Sequence, residues 1–192
     1  MTAVRVGPIR MGIIAFFHRL PNRDLERLLA EPELVPRYLR FGYGEEEEEG
    51  FGPFVTMDVD KTWHGIHFLL TGSAGGDDRP ECFIVAGGRW MGNDDDVGLG
   101  YGQARGFTNS EVKQIAEMLA AADEATLRSR YDPHVMTRDE VYPDIWENSE
   151  EDELGGLIDR YGELREFIMD AAKADEALLV FSARDAHQPG RK

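Results

Sequence analysis

The sequence of 192 residues holds a single cysteine, Cys82, so it can close no intrachain disulfide and cannot build a Cys-rich zinc site. In "PECFIVAGG" that cysteine stands among apolar residues, where a lone thiol behaves as a small buried hydrophobe. Basic residues are scarce: 21 Lys and Arg stand against 37 Asp and Glu, a formal net charge of −16. A surface of that sign repels polyanions, which excludes nucleic-acid binding and docking on anionic membranes as expected functions. Long apolar runs are also missing. "MTAVRVGPIRMGIIAFFHRL" carries about six apolar residues before His18 and Arg19, too few to span a bilayer, and it lacks a small-residue cleavage site. A reducing cytoplasm is the expected compartment.

Several motifs of known chemistry are absent. No serine stands in a Gly-x-Ser-x-Gly elbow, so a Ser-His-Asp hydrolase has little support. "GLGYGQARG" alternates glycines but carries neither the dinucleotide fingerprint nor the Gly-Lys-Ser/Thr ending of a phosphate loop. "NDDDVG" crowds its acids without the D-x-D-x-D-G frame of a calcium loop. In "GYGEEEEEGFGP" five successive glutamates repel one another between glycines, which predicts a mobile acidic loop near 42–53.

What is present is a core. Apolar residues make up 42% of the chain, enough for one domain over residues 1–192, with a frayed tail near 184–192. "RMGIIAFFHRL" and "EALLVFSA" read as buried strands near 11–18 and 177–182. "NRDLERLLAEPELVPRYLR" reads as two short helices, with Asn22 as a cap and Leu25, Leu28 and Leu29 as a stripe. Thr108 and Glu111 form a capping box ahead of Val112, Ile115, Ala116 and Leu119. Asp123 and the Asp132-Pro133 pair start two more short helices, and Pro143 breaks the chain. A long helix is predicted from about Glu150 to Ala174, where Leu157, Tyr161, Leu164 and Ile168 recur at steps of three and four. "ECFIVAGGRWMG" fits a buried strand or a short helix equally. The expected fold is α+β: a single compact domain with a small mixed sheet packed by a majority of α-helix.

The densest chemistry lies in "DVDKTWHGIHFLLTG". Asp58 or Asp60 can cap a helix N-terminus there, and Gly72 sits where a left-handed C-terminal glycine belongs. Trp63, Ile66, Leu69 and Leu70 make one apolar face, His67 flanks it one turn from Trp63, and His64 points elsewhere. The helix is apolar nearly all round, which places it centrally, and Gly65 inside it predicts close approach of another element. His64 and His67 at i and i+3 could reach one ion, but zinc needs more ligands and the HExxH pattern is absent, so no metal and no cofactor are expected. An imidazole could instead serve as a general acid or base, although spacing places no carboxylate beside it.

The blocks "DVDKTWHGIHFLLTG", "LGYGQARGFTNSEV", "RYDPHVM…EVYPDIW" and "ALLVFSA", in that order and after the opening "RMGIIAFFHRLPNRDLERLLAEPE", resemble the YfbM-like family over nearly the whole chain. The resemblance implies a compact α+β bacterial domain of the cytoplasm and brings with it no activity, substrate or catalytic residue. The acidic run at 45–49 and the turn at 94–96 look like local additions to the family pattern. Two functions follow as expectations. The first is a non-enzymatic acidic module that meets a basic protein partner by salt-sensitive attraction. The second is a small-molecule-binding or hydrolase-like protein with a pocket around Trp63, His64, His67, Tyr101, Tyr142 and Trp146.

Overall fold

The computed structural model describes residues 12–41, 54–91, 103–147 and 152–184. Strand β1 (Ile13–Leu20) ends at Pro21 and leads into α1 (Asn22–Ala30). A single 3-10 turn at Pro32–Leu34 joins α1 to α2 (Val35–Phe41). There follow β2 (Val55–Asp58), α3 (Trp63–Thr71), β3 (Arg89–Met91), β4 (Ala104–Phe107), α4 (Asn109–Ala121), α5 (Glu124–Ser129) and α6 (Pro133–Arg138). The long helix α7 (Glu153–Lys173) and the strand β5 (Ala177–Arg184) complete the described chain.

The five strands form one sheet in the order β2-β1-β5-β4-β3. Every pairing is antiparallel, so the mixed sheet expected from the sequence is an antiparallel one, while the α+β class stands. The two long strands form its centre, with Ile13 opposite Arg184 and Leu20 opposite Ala177. Side chains alternate between the faces of a strand, and here both faces are covered. Ala15, Phe17, Phe107, Leu178 and Val180 pack with residues of α3, α4 and α7. Leu20, Ala177, Leu179 and Phe181 pack under Leu25 and Leu28 of α1 and Tyr38 and Leu39 of α2. Near-continuous apolar runs in β1 and β5 follow from this, since both faces are packed over most of their length.

Several local expectations hold at atomic detail. The Thr108–Glu111 capping box is complete, and Asp123 and Asp132 accept backbone N–H groups at the starts of α5 and α6. Gly72 ends α3 at φ +73° with its N–H on the Phe68 carbonyl. Others differ. Asn22 is not a cap but the first residue of α1 behind Pro21, and its amide donates to Glu26. Asp58 belongs to β2, opposite Phe16, and its carboxylate accepts the Asp60 N–H. Asp60 opens a 3-10 turn (Asp60–Thr62), so α3 starts only at Trp63 and without a side-chain cap. The helix 150–174 begins at Glu153, where Asp152 caps it on the Gly155 N–H. "ECFIVAGGRWMG" is neither alternative alone: a 3-10 turn at Pro80–Cys82 precedes the three-residue strand β3. The expected acidic loop, the turn at 94–96, Tyr101 and most of the tail lie outside the described residues.

Helix α3 is central, as its composition requires. Gly65 through Leu70 are all buried. A Cβ at Gly65 would meet Trp146 and Leu157 Cδ2, each at 2.7 Å, so glycine is what lets α7 and the 141–147 segment close on this helix. Its C-terminal carbonyls, which a helix leaves unpaired, receive the Arg130 guanidinium: Nη1 donates to Leu69 O at 2.9 Å and also to Leu70 O.

Candidate functional site

The sheet face that carries α3 also holds an open cleft of about 360 Å³. Its floor comes from Gln103 just before β4, Arg105 of β4 and Ser182 of β5, one wall from Trp63 and His64 of α3, and another from Trp90 of β3. The segments 74–76 and 84–86 close the remaining side. Sheet register explains the floor. Arg105 and Phe107 share one face of β4, Trp90 lies opposite Arg105 across the β3–β4 pair, and Ser182 continues the Leu178–Val180 row of β5.

The two histidines are tethers. His64 Nδ1 accepts the backbone N–H of Tyr142 at 3.0 Å, so its proton sits on Nε2, which donates to Ala74 O at 2.9 Å. His67 Nε2 donates to Gly75 O at 3.0 Å. Spaced one turn apart, they pin the segment that follows α3 back along the helix, and that segment forms part of the cleft wall. Burial pushes both imidazoles below their usual 6.5, against the smaller upward pull of the carbonyl each one donates to. His67 is fully buried and its Nδ1 meets no partner among the described residues.

The residues named from the sequence therefore part company. Trp63 and His64 line the cleft. Tyr142 stands behind Trp63, stacked at 5.6 Å, with its hydroxyl accepting the Ile13 N–H at 2.8 Å. Trp63 ties the same residue from its other polar group, donating Nε1–H to Ile13 O at 3.1 Å. His67 does not reach the cleft, and Trp146 is in the core with its indole N–H on Val141 O. Tyr101 lies outside the described residues. Among the described residues no three of His, Cys, Asp and Glu come together as an ion would need.

Arg105 is the residue that the sequence did not single out. It is only 5% exposed, yet it borders the cleft. Its Nη1 donates to Phe83 O at 3.0 Å and to Ala86 O, and its Nη2 donates to Ile84 O at 2.6 Å. The guanidinium thus caps the carbonyls left open by the turn after Cys82. Burial lowers its pKa to about 10, which still leaves it charged at neutral pH. It lies 5.5 Å from the Trp90 ring centre, and that ring is 58% exposed. "QARGF" could have revealed this only through strand pairing. Four residues are too few to show alternation, and a buried arginine looks like any surface one in sequence.

Three comparisons bear on identity. The family model described as a domain of unknown function, DUF1877, matches residues 11–181. The chain belongs to that family. Its fold is also similar to the crystal structure of a protein of unknown function, YfbM from Escherichia coli, at a TM-score of 0.65 and 19% identity. That match covers 87% of this chain and 98% of the other. No curated protein matches. The YfbM-like resemblance and the α+β fold are thereby established, and the site must be argued from its own geometry. Among the described residues no helix is long and apolar enough to cross a membrane.

Proposed function

We propose that this DUF1877 domain is a binding module that holds a small molecule in the cleft between Trp63, Trp90 and Arg105 without transforming it. One observation carries the reading: an open cleft of about 360 Å³ has a large exposed aromatic ring at its rim and a buried cation at its floor. Such volume suits a small ligand, and apolar walls with few polar groups are what ligand sites share. The state of His64 supports binding over hydrolysis. Both its ring nitrogens are committed to backbone groups, and Ser182, the hydroxyl in the cleft, shares a hydrogen bond with no histidine among the described residues.

A fragment screen on 15N-labelled protein tests this reading. Hits are expected to shift the indole N–H signals of Trp63 and Trp90 while sparing Trp146, which is buried behind α3. Trp90→Ala should weaken those hits at least tenfold. Hits that move neither cleft indole count against the reading, and hydrolysis of a generic ester that His64→Ala abolishes would establish the hydrolase alternative instead.

The net charge of −16 supports a second reading, contact with a basic protein. It predicts association that weakens sharply as salt shortens the screening length below about 10 Å. An affinity for a basic protein that is indifferent to salt would contradict it.

A further inference from the structure

Arg105 is over-built for its structural task. Capping carbonyls needs hydrogen-bond donors but not a permanent charge, and burying a charge without a counter-ion is costly. Four carbonyls are engaged: Phe83 O, Ala86 O and, at 3.5 Å, Gly87 O share the two Nη1–H groups, and Ile84 O takes one Nη2–H. Nε–H and the second Nη2–H meet no acceptor among the described residues, nor does any carboxylate among them pair with this guanidinium. Burial is the cause that lowers its pKa, and none of the described acidic residues offsets it. A cleft cation that none of the described acidic residues reaches can take an anion from outside.

The rim says what the anion is attached to. Trp63 is already stacked with His64 at 4.9 Å and with Tyr142 at 5.6 Å, so its ring serves as a wall. Trp90 has the guanidinium near its ring and more than half its surface in solvent. A flat apolar group laid on Trp90 would cover that surface and bring a substituent to Arg105. Two free N–H donors on a planar group match the two oxygens of a carboxylate. The strongly negative molecule disfavours an anion of higher charge, such as a phosphate ester, because self-repulsion grows with the ligand's charge.

From this geometry we infer that the cleft takes a small carboxylic acid with a flat apolar body, its carboxylate on Arg105 and its ring on Trp90. The inference rests on the binding reading above and names the ligand class for the same site.

The test titrates the intact protein with benzoate, its neutral isostere benzamide, and the cation benzylamine, reading the Trp63 and Trp90 indole signals. Benzoate is expected to bind at least tenfold more tightly than benzamide, and benzylamine more weakly still. Benzamide binding as well as benzoate overturns the carboxylate inference and leaves the cleft reading intact. If none of the three moves either indole, both fall. Arg105→Gln should bring benzoate down to the level of benzamide, and retention of the tenfold preference in that variant would overturn the inference. Because Arg105 also holds the 83–86 turn, the comparison of the three probes on the unaltered protein decides the matter if that variant does not fold.

Discussion

At the scale of single residues, the histidines that look catalytic are spent on backbone groups. His64 bridges Ala74 O and the Tyr142 N–H, joining the segment after α3 to the segment after α6. His64→Ala should cost about 1–3 kcal/mol in urea unfolding, since it leaves two half-buried backbone groups unpaired. A loss near zero would mean that the bridge is idle. His18 gives a pH prediction. Buried at 2% exposure, stacked on Phe54 and edge-on to Phe181, it has its pKa pushed down to about 3 by burial. The unfolded chain protonates this side chain near 6.5 and the folded one does not. Its contribution is therefore complete above 6.5 and is lost as pH falls towards about 3. The loss is about 2 kcal/mol by about pH 5, at 1.36 kcal/mol per pKa unit. Unfolding free energies measured over that range should show the decline, and His18→Phe should flatten it. An unchanged slope in that variant would contradict the assignment.

At the scale of elements, packing outranks propensity. Alanine is the better helix former by about 1 kcal/mol, yet Gly65→Ala should destabilise the protein, because the added Cβ would sit 2.7 Å from Trp146 and Leu157 atoms. Overpacking of that kind typically costs about 1–3 kcal/mol, and a stabilised variant in thermal unfolding would refute the close contact. Thr108→Ala should cost about 1 kcal/mol by removing half of the capping box of α4. These elements were legible because their signals are local: caps, the i, i+3, i+4 stripes of α4 and α7, and the apolar runs of β1 and β5. The start of α3 was not. Asp58 is drawn into β2 by pairing with Phe16, a contact from a distant strand that outweighs the local capping signal. The four-residue strands β2 and β4 escaped notice for the same reason, and the sequence around β3 fits strand and helix equally, since only their partners make them strands.

At the scale of the molecule, the sheet sets the site. Register puts Arg105, Trp90 and Ser182 on one face, and α3 brings Trp63 and His64 over it. The opening stretch of the site was thus visible in "DKTWHGIHFLL", while its floor, spread over β3, β4 and β5, depended on pairings that no single segment encodes. Trp90→Ala is expected to leave stability within about 1 kcal/mol, since an exposed ring over a guanidinium contributes little. Calorimetric unfolding of that variant checks this, and a larger loss would make Trp90 structural instead of ligand-facing. The account turns on α3 being architecture that walls a cleft and not a catalytic or metal-holding helix. A 15N NMR titration of the histidine rings tests that most directly. His64 and His67 should be neutral Nε2–H tautomers at about pH 7, titrate below the ordinary 6.5 because burial disfavours their charged forms, and be unmoved by added zinc. If either ring titrates near 6.5, or shifts when zinc is added, the account is contradicted.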